Sequence, residues 1–122
     1  MSRGTLIAES IKPGRSLEGI PLTLTKISRD VATNASVDQP NVWTVIDFET
    51  TDRPERLAEA LAAVLDDKPF VWYCNFTSGD EVFIVYPNRV FRYRRGDALR
   101  RREAQGYGQS MGVPSSQLDW SE

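Results

Sequence analysis

A chain of 122 residues with 40% apolar and 26% charged side chains has the size and make-up of one globular domain that buries its own core. Its formal charge is −2, and it holds no histidine and a single cysteine, Cys74. Those absences exclude Ser-His and Cys-His nucleophiles, an intrachain disulfide and a multi-cysteine zinc site.

No uncharged apolar run approaches the roughly 20 residues of a membrane-spanning helix; Phe70 to Cys74 is typical of the longest. Met1 to Ala8 lacks an apolar stretch of signal-peptide length. A cytoplasmic protein without cofactor, metal or membrane partner is therefore the expectation.

In chain order, Thr5 to Lys12 alternates apolar and polar residues before Pro13-Gly14 and predicts a first strand. Leu22 and Leu24 alternate with threonines and lead through Ile27 to Val31, a second strand. Asn34 to Asn41, with Pro40, reads as a loop. Val42 to Thr50 places Val42, Thr44, Ile46 and Phe48 on one face and Trp43, Val45, Asp47 and Glu49 on the other. A helix follows, with Asp52 and Glu55 at capping-box spacing, Pro54 in the first turn, and Leu57, Leu61, Val64 and Leu65 as its apolar stripe.

Phe70 to Phe76, Glu81 to Tyr86 and Arg89 to Arg94 are aromatic and β-branched runs joined by Thr77 to Asp80 and by Pro87-Asn88, the pattern of an antiparallel meander. Asp97 caps a last helix with Ala104, Tyr107 and Met111 expected inward. Gly106 and Gly108 weaken that helix by about 1 kcal/mol each relative to Ala, which points to close packing or a break. Leu118 and Trp120 require a docked tail. The whole predicts a single α+β domain over residues 1–122, a two-layer sandwich in the order β-β-β-α-β-β-β-α. Its six strands form a mainly antiparallel sheet, with both helices on one face.

Two features suggest binding. Arg89 to Arg102 holds seven arginines against one acid, whereas the remainder holds 8 basic and 16 acidic residues. Arginines interleaved with aromatic rings suit phosphate or carboxylate, so Arg92, Arg94, Arg100 and Arg101 are candidates for an anionic ligand, nucleic acid being the less favoured. Against that stands ordinary surface ion pairing, since these arginines spread over more than one face. The second feature is the set Trp43, Tyr73, Phe83, Phe91 and Tyr93. With both helices on one face, alternation sends part of this set to an uncovered face, where Val45, Val71 and Val85 would join it. An exposed aromatic sheet face would serve a homodimer or another protein partner, and a non-catalytic interaction module is the leading expectation.

Asp47 and Glu49, two apart on a strand, project about 7 Å apart from one face. A small carboxylate-based enzyme is the third reading, and nothing else in the sequence builds a cleft around that pair. Cys74 reads as a buried, inert thiol. Arg95-Gly96-Asp97, Asn34-Ala35-Ser36 and Asn75-Phe76-Thr77 match short adhesion and glycosylation strings that recur by chance.

The string Arg89 to Asp97, with Tyr107-Gly108 and Gln117 to Trp120, resembles a family of small uncharacterised bacterial proteins. That family has no assigned activity, so the resemblance implies a bacterial, cytoplasmic setting and carries no site residue with it.

Overall fold

The computed structural model describes residues 1–122. Six strands, β1 (Ser2–Ile7), β2 (Thr23–Val31), β3 (Val42–Thr50), β4 (Cys74–Ser78), β5 (Glu81–Tyr86) and β6 (Arg89–Arg94), form one sheet in the order β2-β3-β1-β4-β5-β6. Every neighbouring pair is antiparallel. The helices are α1 (Pro54–Val64) and α2 (Ala98–Ser110). The α+β class and the six-stranded antiparallel sheet are as the sequence predicts.

The helices lie on opposite faces of the sheet, not on one. Phe83 and Arg92 are direct cross-strand partners, and Arg92 reaches Glu55 of α1 at 2.8 Å. Tyr86 has the other parity on β5, and its hydroxyl donates to Ala104 O of α2 at 2.8 Å. The physical reason is β5 itself, where Val82, Phe83, Ile84, Val85 and Tyr86 are all buried. A strand apolar on both sides needs two covers, and a single helical layer supplies one.

On the α1 face, Phe48, Gly4, Phe76 and Phe83 stand side by side across four strands. The Phe76 and Phe83 rings stack at 4.7 Å. Gly4 is where the row closes up: a Cβ there would lie 2.6 Å from Phe76 Cβ and 2.9 Å from the Phe48 ring. On the other face, α2 and the segment through Ser115–Gln117 to Trp120 cover Tyr86, Tyr93 and Phe91.

Several boundaries differ from the prediction. β1 spans Ser2–Ile7, earlier than the alternation at Thr5 to Lys12 suggested, because Ala8–Ser10 turns away as a short 3-10 helix. Phe70 to Tyr73 precedes β4 as an irregular packed segment. α1 begins after Arg53 with no side-chain cap; Asp52 accepts from Arg53 N at 2.7 Å instead. Asp97 does cap α2, accepting from Arg100 N at 3.1 Å. Met111 lies at the exposed end of α2, while Ala104 and Gly108 are its buried contacts.

Candidate functional site

The nine residues singled out in the sequence do not assemble into one site. Phe83 is buried on the α1 face, and Trp43, Tyr73, Phe91 and Tyr93 lie on the α2 face. The expected exposed aromatic face is covered. Tyr93 sits beneath Trp120, whose indole N–H donates to its hydroxyl at 2.8 Å, and Phe91 packs on Tyr107. α2 and the tail supply the second cover that the meander's rings require.

The four arginines are each matched by a carboxylate. Arg92 makes a two-pronged contact with Glu81, both bonds 2.6 Å, and a third with Glu55. Those hydrogen bonds hold the Glu81 carboxyl below its usual pKa range. Arg94 meets Asp80 at 3.5 Å, Arg100 meets Glu103 at 3.0 Å, and Arg101 meets Glu122 at 2.9 Å. The four guanidiniums are thus engaged with separate carboxylates.

Two other surfaces emerge. The first is a groove on the α2 face, over β3, β1 and β4, walled by the segment from Gln117 to Glu122. One end is a recess of about 190 Å³ lined by Ile7, Trp43, Phe70, Trp72, Tyr73 and Asp119, among others. Its neighbour, about 360 Å³ and more open, holds Arg3, Asp47, Glu49 and Glu122. Thr5 and Asn75 line both. In the polar half, Thr5 donates to Asp47 at 2.8 Å and Arg3 approaches Glu49 at 3.6 Å. The two carboxylates are thus engaged with different partners.

The second surface is the β2 edge. β2 is nine residues long and pairs with β3 alone. Ala32 N donates to Asn41 O at 2.8 Å. By antiparallel alternation this turns the backbone groups of Asp30, Ser28 and Lys26 toward β3 and leaves those of Ile27, Arg29 and Val31 on the outer rim. Leu24, Ile27 and Val31 are 50%, 59% and 72% exposed. All three lie on the α1 face, opposite Phe48, Ile46 and Val42. Beside them, Glu9 accepts two bonds from Thr44, at 2.7 and 2.9 Å. Burial works to raise the Glu9 carboxyl, and these bonds outweigh it, leaving it below the ordinary range.

Sequence reasoning passed over both surfaces. The Phe70 to Tyr73 run reads as strand, so Trp72 is not a candidate, and nothing local marks β2 as an edge. The one available signal is the Lys26 and Asp30 spacing, opposite charges four apart on one face of a strand.

Cys74 is buried, and burial pushes its thiol up to about 12. No three His, Cys, Asp or Glu side chains gather as a metal site, and no helix is long and apolar enough to cross a membrane. No protein-family model, no curated protein and no solved structure matches the chain.

Proposed function

We propose that this chain is a non-catalytic interaction module that self-associates by pairing β2 with β2 of a second copy. The observation that carries the reading is the unpaired nine-residue edge with Leu24, Ile27 and Val31 exposed beside it. Such an edge is a template for strand addition.

The charges of β2 select the partner. A two-fold antiparallel pairing centred on Ser28 sets Lys26 opposite Asp30 of the second copy, and the same pair forms again across the axis. Lys26, Ser28 and Asp30 share one face of β2, across from Asp47, Val45 and Trp43. In this register Ile27 and Arg29, whose backbone groups point outward, become the hydrogen-bonded pair, and the ion pairs fall at the closer, non-hydrogen-bonded positions. The opposite edge offers no such match: β6 carries Arg89, Arg92 and Arg94, and pairing it with itself would bring like charges together.

The contact strip is one strand wide, so a reversible dimer is expected. Sedimentation velocity over a wide concentration range tests it. A dimer fraction rising with concentration supports the reading, and a monomer throughout would overturn it.

A further inference from the structure

The apolar end of the groove has a composition that selects charge as well as shape. Trp43, Phe70, Trp72 and Tyr73 line it, Asp119 is its single ionisable carboxylate, and none of its eleven lining residues is basic. The remaining polar groups are the neutral side chains of Thr5, Asn34, Asn75 and Gln117. From these observations we propose that the recess binds a small quaternary ammonium compound, the rings embracing the alkylated head group and Asp119 balancing its charge.

The rings are held before any ligand arrives. Trp43 donates its indole N–H to Pro40 O at 2.6 Å, and the Tyr73 hydroxyl donates to Gln117 O. Trp72 stands edge-on to Trp43 at 5.5 Å and to Phe70 at 5.9 Å. Rings fixed by these contacts lose little ordering entropy on binding. Burial, and after it the charge of Asp119, holds the Tyr73 hydroxyl above its ordinary value.

Size and hydration narrow the ligand class. At about 190 Å³ the space lies below the roughly 300 Å³ at which drug-sized ligands begin to be enclosed. A bare metal ion would meet one carboxylate there and no cluster of ligating acids, too little to replace its water shell. An alkylated ammonium is weakly hydrated, presents methyl groups to the rings, and keeps the cation–π and ionic attraction.

Choline and its uncharged isostere 3,3-dimethylbutan-1-ol are the probes, and the indole N–H resonances of the three tryptophans are the readout. Choline is expected to shift Trp43 and Trp72 saturably and more than Trp120, which does not line the recess but packs on Tyr73 from behind it. The isostere is expected to bind at least about tenfold more weakly, and Asp119→Asn to weaken choline by about three- to tenfold. Asp119 is exposed, so the variant should keep the dispersed spectrum of the parent. A second variant, Asp119→Lys, places a cation at the mouth and should abolish the shifts. Equal binding of both probes, no saturable shift to about 30 mM choline, or indifference to both Asp119 variants would overturn the proposal.

Discussion

Gly108 of α2 sits so close to Tyr86 of β5 that a Cβ on the glycine would lie 2.5 Å from the tyrosine hydroxyl. Tyr86 cannot retreat, because it is fully buried and its hydroxyl is bonded to Ala104 O. Leu118 also lies within 2.8 Å of that Cβ position. Gly106, two residues earlier on the same helix, has open space around its Cβ position. The same substitution should therefore have opposite signs. Gly106→Ala is expected to stabilise by up to about 1 kcal/mol through helix propensity. Gly108→Ala is expected to destabilise by about 1–3 kcal/mol, overpacking outweighing that gain. Urea denaturation of both variants checks it, and equal shifts would remove the close-packing account of Gly108.

The tail is held by Glu122, whose carboxylate accepts from Tyr93 at 2.5 Å and pairs with Arg101. Burial alone would raise that carboxyl; the Tyr93 and Arg101 contacts outweigh it and set it below the ordinary range. A folded-state pKa below the unfolded value adds stability above the unfolded pKa, and that stability is lost as pH falls through the folded one. Glu122→Gln should then cost on the order of 1 kcal/mol near neutral pH, both partners being partly exposed. The difference from the parent should shrink to nothing in acid. Thermal melts from pH 7 downward test this, and a pH-independent difference would mean the carboxylate charge is not what holds the tail.

Cys74 is fully enclosed on the α1 face, where its thiol bonds to Thr5 O at 3.3 Å and sits near 12. With almost no thiolate at pH 8, a disulfide reagent should modify the native protein only as fast as the chain opens, and the denatured chain at once. Rapid stoichiometric labelling under native conditions would contradict the burial.

What the residues disclose by themselves is whatever has a short period. Val42 to Thr50, Glu81 to Tyr86 and Arg89 to Arg94 are short β-branched and aromatic runs bounded by turn residues, a local signal, and β3, β5 and β6 follow the prediction. Gly4 shows where that ends: a glycine reads as a breaker, yet here it lets a central strand pass under the Phe48 ring. The arginine partners were equally hidden, since Arg92 meets Glu55 across 37 positions and Arg101 meets Glu122 across 21. Edge status was the least legible, because β1 inserts between β3 and β4 and only that strand order leaves β2 at the rim.

That rim makes the self-association reading open to a charge-exchange test. Lys26→Asp would face Asp30 of the second copy with a like charge, and Asp30→Lys would face Lys26 with another. Each single variant is expected to weaken dimerisation by about fivefold or more, since like charges directly opposite on a sheet cost up to about 1 kcal/mol per pair and two pairs form. The double variant restores opposite charges in both pairs and should recover most of the lost affinity. Lys26 and Asp30 are exposed, so all three proteins should fold, with Lys26→Asp and the double variant melting somewhat below the parent because the new carboxylate also faces Asp47 of β3. Sedimentation equilibrium on the four proteins decides the register. Recovery in the double variant requires the two residues to face each other across the axis, whereas losses that simply add in the double variant would place the contact elsewhere.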